Sequence, residues 1–304
     1  MKLNKSLSKN KKELLTYFRD RGNESLTEIR ETYGSTQFRE QASEINKALA
    51  EAKESLIITL LQKAETAKWS NQEKLECILM ITYCNYIVML EYRNDVWPYE
   101  YMTFSRRIGE LWEPFCKLCF LYPINKVVLF VPPLFSEVRN RLADEIRDYI
   151  DKLNITSGQK AQLKEYYDKV WRLVTSGEIK LELDLHFTFD KERFVVDFKS
   201  GFGSNEKGNT NRLLLVASIY KNLEENYRCL IFVRSDDNNN YFQTLKNSGI
   251  WEAFSGNEAY KKMNEYSGYD IKKWIDTNVK REQDFKKVTM DFFRKHELDQ
   301  YLGW

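Results

Sequence analysis

The chain has 304 residues, 42% apolar and 30% charged, enough to bury a large core in one domain or two. Its 47 Lys and Arg against 45 Asp and Glu leave a formal charge of +2, so no global basic field marks a nucleic-acid partner, although a cleft needs only local positive charge. Only two histidines occur, His186 and His296, which all but excludes His-based metal sites and His-dependent triads, and five cysteines, an odd number, argue against a disulfide framework.

The amino-terminal stretch MKLNKSLSKNKK is basic and polar, without the apolar segment of a secretory signal. No apolar run approaches the ~20 residues that span a bilayer, so no membrane partner is expected and the expected location is cytoplasmic. Residues 1–125 read as mainly helical, with helices near 9–21, 36–66, 71–92 and 104–120. Cys77 and Cys84 lie seven apart on one helix face and read as small core residues. Cys116 and Cys119 form a C-x-x-C without a second pair, which makes a poor zinc site. Residues 126–131, KVVLFV, read as a buried strand stopped by Pro132-Pro133. Residues 134–175 read as a helical insertion of two helices around 154–158, with Thr156 or Ser157 as N-cap of the second.

Residues 181–200, LELDLHFTFDKERFVVDFKS, alternate apolar and polar with period two, the pattern of paired half-buried strands. A two-residue turn at Lys191-Glu192 would set His186 opposite Asp197 and Asp184 opposite Lys199. Two carboxylates and an ammonium then share one sheet face. Such an oxygen-rich pair suits Mg²⁺, which prefers few protein ligands plus water and substrate phosphate. The cation lowers the pKa of a bound water and stabilises charge on a phosphoryl oxygen. A lysine two residues after the second carboxylate points the same way and can hold the attacking water or the anionic transition state. The run 201–212 is Gly-rich and polar, ending in an N-cap at Asn209, Thr210 or Asn211 for a helix over 212–223. Within it Asn205, Lys207, Asn209, Asn211 and Arg212 are suited to phosphate or base-edge contacts with DNA. Residues 228–234, RCLIFVR, read as a buried strand; from 241 the pattern is helical and dense in aromatics, which serve a core or a subunit interface.

Asp184, twelve intervening residues, and Asp197-Phe198-Lys199 resemble the signature of the PD-(D/E)XK nuclease superfamily, although Leu183 stands where the family often has proline. Residues 105–113, with Ser105, Arg107, Gly109, Trp112 and Glu113, resemble the S/T-x-R-x-G-x-x-F-E helix that precedes the catalytic core in many restriction endonucleases. The order helix, strand, strand, strand, helix, strand over 104–234 is also that of the PD-(D/E)XK core. The fold class expected is therefore α/β (α+β): a mixed central sheet flanked by helices, with helical regions at 1–103 and 235–304. The resemblance implies a type II restriction endonuclease-like enzyme that cleaves double-stranded DNA in a Mg²⁺-dependent, sequence-specific way. It implies Asp184, Asp197 and the Phe198 carbonyl as metal ligands and Lys199 as the residue that orients or deprotonates water. Glu113 supports the metal shell, with Glu110 the second choice; Pro114 just after it marks a kink or an element start. It implies a homodimer, and a cognate DNA methyltransferase acting in the same system without binding the chain. Three alternatives remain beside it. One is a repair, recombination or phage-defence nuclease of the same fold. Another is a non-catalytic DNA-binding or regulatory helical module. The last is a glycosidase-like use of the two carboxylates, in which Lys199 has no role.

Overall fold

A computed structural model describes residues 3–34, 36–174, 179–203, 206–223 and 226–304. After a 3-10 turn at Lys5–Lys9, the chain forms α1 (Lys11–Thr32), α2 (Phe38–Thr66), α3 (Asn71–Val96) and α4 (Tyr101–Leu121). Then come β1 (Val128–Leu129), α5 (Phe135–Lys152), α6 (Ser157–Val174), β2 (Leu185–Phe189), β3 (Glu192–Lys199), α7 (Lys207–Lys221) and β4 (Tyr227–Val233). The chain closes with α8 (Asn240–Asn247), β5 (Trp251–Ser255), α9 (Gly256–Ser267), α10 (Ile271–Asn278), α11 (Arg281–Asp284), α12 (Lys287–Lys295) and a 3-10 turn at Asp299–Leu302.

The helices expected near 9–21, 36–66, 71–92 and 104–120 are all present: the first starts two residues later and runs eleven further, the second starts two residues later, and the third and fourth are longer than expected; the insertion is the expected helix pair. Thr156 does cap α6: its Oγ1 accepts from the Gln159 N–H at 3.3 Å, while Gln159 Oε1 accepts from the Thr156 N–H at 3.0 Å. Ser70 and Glu73 form a reciprocal capping box that starts α3. Apolar residues surround α3 on all sides, as a fully buried helix requires. It is also long and apolar enough to cross a membrane, contrary to the expectation that no such run occurs, but it is almost wholly buried among the other helices. Helix α4 continues unbroken through Pro114.

The sheet has the order β1-β2-β3-β4-β5, antiparallel between the first three strands and parallel from β3 onward. Helix α7 makes the crossover from β3 to β4 and α8 that from β4 to β5. Strand β5 lies in a segment expected to be helical. The strand itself is only five residues long, directly before Gly256, which leaves too short a run for alternation to register. The 126–131 segment yields only two paired residues, both exposed, on the sheet edge.

The hairpin turn falls on Asp190-Lys191, with φ of 48° and 70°, rather than on Lys191-Glu192. Two consecutive positive φ angles are the primed turn that matches strand twist, and Asp tolerates that region better than most residues. Stacked rings of Phe187 and Phe194, 4.9 Å apart and 12° from parallel, hold the register beside it. Moving the turn by one residue changes each pairing by two, so the faces survive while the partners change: His186 pairs with Val195, and Leu185 with Val196.

The strands are covered on both faces, not half-buried. One face, with Phe187, Phe194, Val196, Phe198, Leu230 and Phe232, joins the large core built with α1–α4 and the carboxy-terminal helices. The other, with Val195, Cys229, Ile231 and Val233, packs under α7 and α8. Leu181 and Leu183 pack in this second cluster and Leu185 in the first, so the chain changes face at Asp184 and the alternation read through 181–189 spans two environments. The large core draws on residues from Leu7 to Leu302, so 1–103, 104–234 and 235–304 share it. Carboxy-terminal aromatics such as Tyr260, Tyr266, Trp274 and Phe293 belong to this core.

Candidate active site

Extending the observed β2–β3 register by one residue sets Asp184 opposite Asp197, in place of the Asp184–Lys199 and His186–Asp197 pairs read from the sequence. The Phe198 N–H donates to Asp184 Oδ2 at 2.7 Å, and the Phe198 carbonyl accepts from Lys199 Nζ at 3.2 Å. Amide and carbonyl of one strand residue point to the same side, so both main-chain groups of Phe198 face the strand that carries Asp184. Asp197 is 1% exposed. Lys199 Nζ lies 2.5 Å from Asp197 Oδ2, and Arg212 Nη2 lies 3.5 Å from Oδ1. Burial pushes the Asp197 carboxyl up to about 6; the neighbouring Asp184 adds to that rise, while Lys199 and Arg212 oppose it.

Helix α4 comes close to this strand end because Gly109 has no side chain. A Cβ there would stand 2.6 Å from Ser200 Cβ. On the opposite sheet face Trp112 meets Phe198 edge to face, with ring centroids 5.7 Å apart. Glu113, Glu110, Gly109 and Ser105 thereby form one wall of a cleft of about 430 Å³, whose other wall is Phe198, Lys199 and Ser200. Asp184 and Asp197 are not part of that lining. Glu113 pairs with Lys117 at 2.6 Å, and Glu110 with Arg106 and Arg107 at 2.7 and 3.3 Å. Both glutamates that the motif singled out thus face the cleft.

The donor set fits a hard cation. Asp197 Oδ2 is buried and receives no directed hydrogen bond, only the Lys199 charge. The same ammonium reaches the Phe198 carbonyl, so two of the three expected ligand oxygens already converge on one positive charge. Among the described residues no three His, Cys, Asp or Glu side chains cluster, so a cation here would need main-chain oxygen and water besides the two aspartates.

The loop assignments fare differently. Asn205 lies outside the described residues. Helix α7 begins at Lys207, five residues before the expected start, with Glu206 in place of an Asn or Thr N-cap. The Thr210 hydroxyl donates to the Glu206 carbonyl at 2.9 Å as part of that first turn. Lys207 and Asn211 are exposed on the helix, and Asn209 is tied to Glu206. Arg212 turns inward to Asp197, which makes it a member of the site; its spacing in the sequence carried no sign of that. Lys117 was also missed, although four residues from Glu113 on one helix is a readable pairing distance. His186 is buried away from Asp197. Its Nε2 accepts from the Leu183 N–H at 3.2 Å, and burial lowers its pKa to about 4. Cys116 and Cys119 are buried thiols whose pKa burial raises, inert as ligands.

Two measurable consequences arise here. Gly109→Ala is expected to destabilise the chain by about 1–3 kcal/mol, because overpacking against Ser200 outweighs the ~1 kcal/mol that alanine gains in a helix. Ser200→Gly in the same chain should recover most of it in urea unfolding; an unrecovered loss would place the strain elsewhere. The second is acid stability. Between the ordinary carboxyl range and about 6 the folded state holds the extra proton on Asp197, so that contribution falls as pH rises. For His186 the folded state holds fewer protons between about 4 and 6.5, so its contribution is lost as pH falls. The two oppose each other. Asp197→Asn leaves His186 unopposed, and the variant's stability should drop more steeply than wild type between about pH 6.5 and 4.5. Equal slopes in denaturant titrations would show that Asp197 is not charged at a cost.

Comparison of the chain with family models, with curated proteins and with solved structures finds no match.

Proposed function

We propose that this chain is a Mg²⁺-dependent endonuclease of the PD-(D/E)XK type that hydrolyses phosphodiester bonds in double-stranded DNA, most like a type II restriction endonuclease. The observation that carries the reading is the convergence of Asp197 Oδ2 and the Phe198 carbonyl on one cation, with Asp184 bonded to the Phe198 amide beside them. The cleft that joins Lys199 to Glu113 across the Gly109–Ser200 contact adds to it. So does the element order α4, β1, β2, β3, α7, β4, which, with the inserted pair α5 and α6 set aside, is that of the superfamily core.

Asp184, Asp197 and the Phe198 carbonyl would hold the ion. When bound, Mg²⁺ supplies a more acidic water and charge stabilisation at a phosphoryl oxygen. Lys199, which reaches Asp197 Oδ2 and the Phe198 carbonyl, would direct its donors at the attacking water or the anionic phosphorane. Arg212 stands beside Asp197 and can take a phosphate oxygen. Glu113 and Glu110 line the cleft and would accept hydrogen bonds from water there. Two-fold assembly would give one such site per DNA strand.

The test is incubation of the purified protein with unmethylated phage DNA and Mg²⁺, with an EDTA control. Discrete fragments that vanish in EDTA support a sequence-specific metal-dependent nuclease. Intact DNA, on methylated as well as unmethylated substrate, would move the reading to a DNA-binding or regulatory module. Fragments that persist in EDTA would exclude the metal.

A further inference from the structure

The cleft wall on α4 is a single helical stripe. Met102, Ser105, Arg106, Gly109 and Glu113 recur every three or four residues and so lie on one face. Its inner end is fixed by the seat of Gly109 on Ser200, next to Lys199. Its outer end is apolar and exposed: Met102 is 68% and Tyr101 58% exposed, both belong to the cleft lining, and the Tyr101 ring has the Tyr301 ring 6.3 Å away on one side. Isolated exposed apolar residues are ordinary. Two adjacent ones at the mouth of a cleft that contains an ammonium and two carboxylates are a different arrangement. Beside them the Arg106 side chain is 82% exposed and ion-paired with Glu110. An exposed pair of this kind is worth little and is readily exchanged for a phosphate. The N-cap Glu100 makes no side-chain capping bond, so first-turn N–H groups of α4 also remain open to an anion at the same lip.

Apolar contact flanked by phosphate-seeking donors suits one occupant, a nucleic acid with a partly opened base step. Apolar side chains unstack such steps, and aromatic rings stack on the freed base. From Gly109 to Met102 the helix rises about 10 Å, the length of roughly three nucleotide steps. We propose that Tyr101 and Met102 probe the base step about three nucleotides from the scissile phosphate, with Arg106 on the adjoining backbone. This rests on the nuclease reading of the cleft. The Gly-rich loop is then not the sole reader of sequence, and selectivity is coupled to hydrolysis through one rigid helix.

The experiment is sequencing of the ends released from random-sequence duplex DNA by wild type and by the Tyr101→Ala/Met102→Ala double variant in Mg²⁺. Duplex binding is measured in parallel with Ca²⁺ replacing Mg²⁺. Both side chains are exposed, so thermal unfolding should be unchanged. The variant is expected to cut about tenfold more slowly and to lose base preference some two to four nucleotides from the cut. Retained preference at those positions, with an unchanged rate, would overturn the proposal while leaving the nuclease reading intact. If wild type binds duplex without cutting it, the nuclease reading fails; a roughly tenfold weaker complex with the variant would still support the probe, and equal affinity would sink it. Failure of wild type either to bind or to cut removes both.

Discussion

Asp197→Asn and Lys199→Ala are each expected to lower Mg²⁺-dependent DNA cleavage by about 10³-fold or more, with no loss of thermal stability for the first. The two halves of this expectation have one cause. Asp197 is buried beside a second carboxylate, and that position raises its pKa because the charged form is disfavoured there. An amide of the same shape removes the cost of burying that charge. Lys199 and Arg212 lose a partner, but both side chains reach solvent, so neither is left as a buried unpaired charge. A residue whose conservative replacement is neutral or stabilising, yet abolishes activity, is being held at a cost for chemistry. Melting curves and single-turnover cleavage on the same preparations decide it. Retained activity in either variant would mean that hydrolysis happens elsewhere; lost activity with a collapsed melting transition would mean that Asp197 is structural.

How much of this was legible in the sequence depends on how local the determinant was. The strand hairpin was, because alternation over 185–199 is a short-range signal, and the identity of the polar residues on it followed from parity alone. The partners across the hairpin were not. They hinge on which pair of residues takes positive φ, and Asp190-Lys191 and Lys191-Glu192 differ by one position that composition does not resolve. The error was harmless to the site, since a turn shift of one preserves the faces and brings the two carboxylates opposite each other. The stripe on α4 was legible as a helix and as a motif, but the reason for its glycine appears only when Ser200 is seen against it. Arg212 illustrates what cannot be read: its neighbour Asp197 is reached only through the fold of a loop that interrupts all periodicity. Strand β5 was lost to length. Burial of both sheet faces was misjudged because acidic and basic residues on 182–199 suggested solvent, whereas Asp197 is buried and Glu192 pairs with Arg228 of the neighbouring strand.

The largest stability effect is expected far from the cleft, at Arg19. Its Nε and Nη2 bond both carboxylate oxygens of Glu91 at 3.0 and 2.7 Å, and Nη2 also donates to the Asp284 carbonyl at 2.7 Å. The Glu91 side chain is 0% exposed, and the Lys286 N–H adds a third bond to it at 2.6 Å. Nearby, Asp284 accepts from the Tyr83 hydroxyl at 2.6 Å and pairs with Lys11 at 2.9 Å. One polar knot therefore ties α1 and α3 to the segment around α11, which comes from the far end of the chain. Arg19→Leu leaves the Glu91 charge inside the helical core with only the more distant Lys286 ammonium, 3.9 Å from its Oε2. Removing one partner of a buried pair costs about 3–5 kcal/mol, on the order of 10 °C in Tm for a chain of this size. Arg19→Leu with Glu91→Leu removes both charges and should recover most of the loss, because apolar replacement of a whole buried pair is commonly neutral. A small effect of Arg19→Leu alone would mean that Lys286 or water carries Glu91. An unrecovered double variant would mean that the knot acts through its hydrogen bonds to the 284–286 backbone. The cleft should be indifferent in either case: α4 is seated by Gly109 and Trp112, not by this knot, so cleavage below the melting transition is expected to match wild type.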